Sequence, residues 1–402
     1  MSEIFIIGIN GDFLPPEHLQ RIRASSAVVV SRRFEPLLPE MNIKRIPIAP
    51  VSGMVQLVGE ALVHGDVAVL ASGDPLFFGI GRTLLRNFGP EQVRIYPALS
   101  AMQLACARFK IPWDDLAMMS LHGRDPQGIA GRVLAHPRVM LFTDHRNSPD
   151  RIARLLLERL AECGDHGRMA SVRVRVAENL GLSDERLSAG SLEETAEARF
   201  GPLNMMLVEQ DISELHLPVF GLGEGEIRHS RGLITKDEVR SVVLHCLRLP
   251  ERGVFWDVGG GSGSVSVAAA RLVPELDVFT VEKKDEGLVN IRKNIQALNL
   301  YNIRAIAGQA PDALAALPDP DRVFIGGSGG RLAEIIRHGA GRLVTGGKMV
   351  ATAVLEKTAR QAPRFMREAG LEVDIRVVRV TRFLPQGEEK NLNPITIITG
   401  TK

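Results

Sequence analysis

Asp257 and Glu282 bracket a glycine cluster in this 402-residue chain, and the spacing between them suits a nucleoside-bearing ligand. From Val254 the sequence reads V-F-W-D-V-G-G-G-S-G-S-V-S, then a helical stretch, then D-V-F-T-V-E. Asp257 closes a strand, and Gly259, Gly261 and Gly263 let the backbone turn where a β-carbon would block a ligand. The helix that starts at Ser264 aims its free N–H groups at that ligand. Glu282, at the tip of the following strand, is placed to accept hydrogen bonds from both ribose hydroxyls. The combination points to S-adenosylmethionine. A dinucleotide fingerprint, G-x-G-x-x-G, would need glycine at Ser264 or Ser266, and both are serine. A nicotinamide-dependent oxidoreductase and a purely structural glycine turn are the competing readings.

Positioning these groups requires alternating strands and helices, and the chain supplies them. From Val254 onward strands are expected at Val254–Val258, Asp277–Glu282, Ile303–Ala307, Val323–Ile325 and Lys348–Ala353. Glu372–Val380 and Ile395–Thr399 follow the Lys357–Glu368 helix with no helix between them, which predicts an antiparallel pair at the sheet edge. This is a Rossmann-like, seven-stranded class I methyltransferase order, with the ligand over the carboxyl ends of the strands. Upstream, Ile4–Ile9, Ala27–Val30, Val67–Leu70 and Val93–Tyr96 are apolar enough for buried parallel strands, separated by helices such as Met54–His64 and Ser100–Phe109. A second series follows a break at 112–117, with strands near Met118–Leu121, Val139–Phe142, Ser171–Val176 and Met205–Glu209 and a helix at Arg151–Cys163. The expected division is therefore 1–212, in two α/β lobes, and 218–402. Asp211–Gly225 is a polar, glycine-bearing junction at which the halves should be separable. Thr235–Glu238 reads as a capping box that starts a helix through Cys246.

Composition narrows the function classes. Apolar residues make up 45% and charged residues 24% of the chain, as in an ordinary globular protein. The net charge of +2 is spread without a basic stripe, which argues against a nucleic-acid partner. Cys106, Cys163 and Cys246 lack C-x-x-C spacing, so no metal site is expected, and they read as buried thiols in a reducing cytoplasm. No apolar run approaches the length of a membrane span, so no membrane partner is expected. The protein is expected to be a cytoplasmic homo-oligomer.

Residues 218–402 resemble the decarboxylating precorrin methyltransferases of the CbiT type. The resemblance rests on G-L-G-E-G-E-I at 221–227, L-I-T-K-D-E-V-R at 233–240, the glycine motif, G-Q-A-P-D-A-L at 308–314 and D-R-V-F-I-G-G-S-G-G at 321–330. Amino-group methylases usually end that last strand in Asp/Asn-Pro-Pro-Tyr. Here Gly326–Gly330 leaves space for a large flat acceptor. Gln309 stands where many relatives have an acid near the adenine. In this half the reading nominates Asp257, Gly259, Gly261, Gly263, Glu282, Gln309, Ala310 and Gly326 for the cofactor.

Residues 1–212 resemble the tetrapyrrole methylases, in the CbiE branch. The matching stretches are A-S-G-D-P-L-F-F-G at 71–79, Y-P-A-L-S-A-M-Q-L-A-C-A-R-F at 96–109, L-F-T-D at 141–144 and E-N-L-G at 178–181. The resemblance implies a class III fold with S-adenosylmethionine held at Gly73, Asp74, Pro75, Ser100 and Ala101, and at Thr143 from the second lobe. Gly8-Ile-Asn-Gly11-Asp12 departs from the family's Gly-Pro-Gly-Asp, leaving Asp12 a substrate-side candidate.

Both halves together resemble the fused, decarboxylating precorrin-6Y C5,15-methyltransferases of cobalamin biosynthesis. The resemblance implies one S-adenosylmethionine per domain. It also implies methylation of precorrin-6B at C5 by the first half, and at C15, with loss of the ring C acetate carboxyl, by the second. Losing carbon dioxide would leave an enamine whose meso carbon attacks the methyl group. Alignment carries such a transfer, so no catalytic triad is expected. His229, Arg231, Lys236 and Ser328 are the catalytic candidates, with Arg228, Arg382 and Lys390 as further cations for substrate carboxylates. A non-catalytic protein that binds the tetrapyrrole or the cofactor is the alternative.

Overall fold

The computed structural model describes residues 2–38, 41–121, 128–212, 217–230, 232 and 234–402. Five strands form a first, wholly parallel sheet: β1 (Ile4–Ile9), β2 (Ala27–Val30), β3 (Lys44–Pro47), β4 (Val67–Ser72) and β5 (Val93–Tyr96), ordered β3-β2-β4-β1-β5. Its central strands are apolar at successive positions because both faces are covered. Ile4, Ile6, Val67 and Val69 pack into one core, and Phe5, Ile7, Ala68 and Leu70 into another. A second, mixed sheet holds β6 (Ala117–Ser120), β7 (Arg138–Phe142), β8 (Arg173–Glu178), β9 (Arg186–Gly190) and β10 (Asn204–Glu209), ordered β6-β7-β10-β8-β9.

The third sheet has seven strands. These are β11 (Gly253–Val258), β12 (Leu276–Glu282), β13 (Ile303–Ala307), β14 (Arg322–Ile325), β15 (Lys348–Ala353), β16 (Glu372–Val378) and, after a small hairpin of β17 (Thr381–Phe383) and β18 (Glu389–Asn391), β19 (Ile395–Thr401). The order β13-β12-β11-β14-β15-β19-β16 has β19 antiparallel to both neighbours, as the strand pattern predicted. The chain leaves β11 to one side and returns to β14 on the other, so the carboxyl ends of β11 and β14 flank a switch point. Trp256, Val258, Val323 and Ile325 fill the core beneath it.

Several expectations need correction. β3 and β9 are edge strands with mostly exposed residues, so neither carries the apolar run that marks a buried strand. The strand expected at Ser171–Val176 begins at Arg173, because His166–Ser171 is a helix whose N-cap, Asp165, accepts a bond from the Arg168 N–H at 3.1 Å. The capping box at Thr235–Glu238 does not form. That helix starts at Asp237 with no side-chain cap, and Glu238 is instead paired with Arg382 at 2.7 Å.

Two compact units cut across the expected division at 212–218. One comprises 1–125, 138–151 and 173–209; the other comprises 126–137, 152–172 and 210–402. The second unit therefore includes helical segments drawn from the first half of the chain. Within it, the 4%-exposed Arg159 donates from Nε to the Tyr301 carbonyl at 2.7 Å, and also to the Ile303 carbonyl, at the start of β13. Gln296 donates to the Cys163 carbonyl at 2.7 Å, and Arg168 lies 4.7 Å over the Tyr301 ring. The Tyr301 hydroxyl donates to Asp165, and burial first, then that bond, pushes its pKa upward. Buried cations are tolerated here because carbonyl and amide oxygens take up their N–H groups. Among the described residues no helix is long and apolar enough to cross a membrane.

Candidate active sites

At the switch point of the second unit lies a cavity of about 380 Å³, within the size range of small-molecule sites. Gly259, Gly261, Glu282, Gln309, Ala310 and Ser328 line it. The glycines are there because the backbone demands them. Gly259 has φ +70, and a β-carbon on it would sit 2.4 Å from the Gly327 carbonyl oxygen. Gly261 has φ +58 and faces open space, so it keeps the cavity floor low.

Glu282 is 8% exposed and does more than was expected of it. Its Oε2 accepts the Gly261 N–H at 2.8 Å, and its Oε1 accepts those of Lys283 and Lys284, both at 2.9 Å. The carboxylate thus staples the glycine turn to the end of β12. A carboxylate offers about four lone-pair sites, so the one left on Oε2 is the better placed for a ribose hydroxyl.

Asp257 does not line the cavity, although Val258 and Gly259 beside it do. It is 1% exposed, with Oδ2 accepting from the Ser266 hydroxyl at 2.6 Å and from the Ser266 N–H at 3.2 Å. Its Oδ1 has no partner. Burial pushes its pKa up from the usual 3.8 to about 6, against the two Ser266 bonds. Below about pH 4 this carboxyl is protonated both folded and unfolded, and contributes nothing to the pH dependence. Between about 4 and 6 the unfolded chain ionises first, so stability falls as pH rises, by about 3 kcal/mol in total above pH 6. Asp257→Asn is therefore expected to stabilise the ligand-free protein at pH 7.5 and to leave it unchanged near pH 4. Thermal melts at the two pH values check this, and a gain at both or at neither would count against it.

The other candidates in this unit separate clearly. Gly326 anchors the floor by donating its N–H to the Val258 carbonyl at 2.9 Å, while its neighbour Gly327 faces the cavity. Gly263 lies outside the lining and serves as the left-handed N-cap of the Ser264–Leu272 helix. His229 has its Nδ1 on the Ile227 carbonyl at 2.9 Å and lies outside the lining, as does Lys236. Arg231 lies outside the described residues. Lys236 and Arg382 share Glu224, and Arg382 also grips Glu238 through Nε at 2.7 Å, so carboxylates already neutralise both cations. Lys390 is on β18, in the small hairpin. Arg228 differs: its Nε donates to the neutral Asn290 at 3.2 Å, and Asn290 lines the cavity.

Sequence reasoning missed Asn290, Asn294, Lys283 and Lys284. The signal for the first two was a pair of asparagines four apart in one helix. Asn290 holds the Ser230 hydroxyl at 2.8 Å, and Asn294 holds the Arg228 carbonyl at 3.0 Å, which together fix the loop at the cavity edge.

The first unit has its own cavity of about 350 Å³, lined by Gly73, Asp74, Ser100, Ala101 and Thr143. Gly73 has φ +61, and a β-carbon on it would lie 3.0 Å from Ser100 Cα. Ser100 caps the Ala101–Phe109 helix in a reciprocal box with Gln103, at 3.2 and 2.9 Å, directing the helix N-terminus toward this loop. Thr143 is buried and donates to the Asn204 carbonyl at 3.0 Å, a bond that ties β7 to β10. Pro75 and Asp12 do not line the cavity. Pro75 instead packs its carbonyl where β-carbons on Gly79 or Gly81 would fall, at 2.5 and 2.7 Å. The sequence reading missed Arg33, Phe78, Phe142 and Asn179 in this lining.

Residues 14–196 match the family described as Tetrapyrrole (Corrin/Porphyrin) Methylases, and residues 227–400 match one described as Precorrin methyltransferase domain. A precorrin-6Y C(5,15)-methyltransferase [decarboxylating] of Mycobacterium tuberculosis is 30% identical over 375 residues, 91% of each chain. A "Probable cobalt-precorrin-6B C(15)-methyltransferase (decarboxylating)" of Pyrobaculum calidifontis is 37% identical over 41% of this chain and 87% of its own. A cobalt-precorrin-7 C(5)-methyltransferase of Salmonella typhimurium is 35% identical over 43% of this chain and 82% of its own. The class is thus an S-adenosylmethionine-dependent methyltransferase in which a two-lobed tetrapyrrole methylase precedes a Rossmann-like class I domain. Within that class, the chain belongs to the family of decarboxylating precorrin-6Y C5,15-methyltransferases.

Proposed function

We propose that the chain acts in the cytoplasm on precorrin-6B, methylating C5 with the half spanning 1–212 and C15 with the half spanning 218–402. The second step is accompanied by loss of the ring C acetate carboxyl, and the product is precorrin-8. The observation that carries this reading is the pair of separate, glycine-floored cavities, which share no residue. S-adenosylmethionine, one in each cavity, supplies an electrophilic methyl group. In the second unit Gly259 and Gly261 make room for it, and Glu282 faces the ribose. In the first unit Gly73, Ser100 and Ala101 serve the same end.

The Gly327–Ser328–Gly329 edge presents little side chain, and so admits a broad acceptor close to the site. Arg228, held at the rim by Asn290, joins Lys283 and Lys284 of the lining as a cation placed for an acceptor carboxylate. Homo-oligomer formation belongs to this proposal too: Ile375 and Val377 lie exposed on the edge strand β16.

Calorimetry of the whole chain should saturate at two cofactor molecules, and saturation at one would remove a site. Labelled cofactor with precorrin-6B should give turnover at both carbons, whereas binding without turnover would favour a carrier. Mass spectrometry of early products should show no C15-methylated species that retains the ring C acetate carboxyl. An abundance of that species would overturn the order in which decarboxylation creates the nucleophile.

A further inference from the structure

Phe78 holds an unusual backbone conformation at the cavity of the first unit. Five non-glycine residues among those described have positive φ, and Phe78, at +54, is the only aromatic one. Lys110, Arg248 and Asn299 are helix C-caps, where that conformation is routine, and asparagine, as at Asn179, tolerates it. A bulky side chain there is strained, and persists only where the surroundings force it.

The surroundings do so. Asp74 Oδ1 takes the Leu76 N–H at 2.8 Å, and the Pro75 carbonyl takes the Gly81 N–H at 2.9 Å. The Phe77 N–H reaches the Asp74 carbonyl at 3.1 Å. Pinned at both ends, the loop must reverse at position 78. Glycine would reverse there without strain.

The strain is not offset by full burial of the ring. Phe78 is 51% exposed, yet it is not loose: its ring stands 5.0 Å from that of Phe142 and 4.9 Å from that of Phe77. The same cavity is lined by two other half-exposed apolar residues, Leu99 and Leu203. Glycine-loop and helix N-terminal groups at Gly73, Ser100 and Ala101 serve a polar ligand, whereas these three present apolar surface.

We propose that Phe78 is a substrate-positioning residue, whose ring, braced by Phe142 and accompanied by Leu99 and Leu203, seats the flat conjugated face of the methyl acceptor. Aromatic faces attract one another in offset or edge arrangements, and a rigid ring holds an acceptor at low entropic cost. The inference rests on the reading of this cavity as the C5 methylation site.

The test uses the full chain carrying Phe78→Gly, Phe78→Leu or Phe78→Tyr. Phe78→Gly relieves the strain, so its melting temperature should match or exceed that of the parent. Its KM for the tetrapyrrole in C5 methylation should rise about tenfold, while its KM for the cofactor and its C15 methylation stay within twofold. Phe78→Leu should behave like Phe78→Gly in KM, and Phe78→Tyr like the parent. A KM increase for the cofactor alone would assign the ring to the other ligand and overturn the proposal. So would unchanged kinetics in Phe78→Gly, or a fall in its melting temperature together with loss of both KM values. If the parent protein bound no cofactor in its first unit, the reading of the cavity itself would fail, and calorimetry shows that separately.

Discussion

Gly259→Ala should abolish the C15 methylation and decarboxylation while leaving C5 methylation within twofold of the parent. The added β-carbon would lie 2.4 Å from the Gly327 carbonyl oxygen and 2.7 Å from both the Gly327 nitrogen and Cα. All three are backbone atoms, so no side chain can swing aside. Nor can the backbone yield readily, because the Gly259 N–H is held by the Val281 carbonyl and the Gly326 N–H by the Val258 carbonyl, each at 2.9 Å. The φ of +70 adds a conformational penalty of about 1–2 kcal/mol. Parting the tips of β11 and β14 widens the cavity floor, and a misplacement of about 1 Å is enough to cost about a hundredfold in rate. Product analysis by mass spectrometry reads both carbons in one reaction. Equal loss at C5 and C15 would show that the fold, rather than one site, has been damaged.

Glu282→Ala should weaken one of the two cofactor-binding events by about ten- to a hundred-fold, corresponding to about 1.5–3 kcal/mol for charge-assisted bonds. Two losses combine in that figure. The ribose loses an acceptor, and the N–H groups of Gly261, Lys283 and Lys284 lose theirs. Glu282→Gln separates shape from charge. Its amide must turn an N–H toward at least one of those backbone donors, so it should bind nearly as poorly as the alanine variant. Titration calorimetry resolves the two events. Near-parent binding by Glu282→Gln would show that the carboxylate charge and its staple are dispensable.

What the sequence made legible was local chemistry. Gly259 and Gly261 could be placed because positive φ is a property of one residue and its neighbours, and Gly73 could be placed for the same reason. The seven-strand order was legible because buried strands are continuous apolar runs, and the last two had no helix between them. Cation roles were not legible. Lys236 and Arg382 look free in the sequence, but Glu224 meets Lys236 from 12 residues away and Arg382 from 158 residues away, and no helical or strand spacing records either pairing. Glu282 was read as a ligand group, while its bond to the Gly261 N–H appears only once β12 and the glycine turn are side by side. Phe78 was hidden for a different reason: its strain comes from bonds made by Asp74 and Pro75, and an aromatic residue gives no warning of positive φ.

The interleaving of the compact units bears on how such a chain can be exchanged or rebuilt. A chimera joined at the polar stretch near 211–217 follows the order of the polypeptide, yet it would separate the 210–402 segment from 126–137 and 152–172, its companions in one compact body. Such a graft would strip the Tyr301 and Ile303 carbonyls, before and at the start of β13, of the guanidinium that holds them, and leave the Tyr301 ring without its cover. The inheritable seam and the mechanical seam are different places. A transplant that keeps its recipient's segments 126–137 and 152–172 must therefore match them to the incoming residues 296–303, so those short stretches, rather than the linker, set which halves can be recombined.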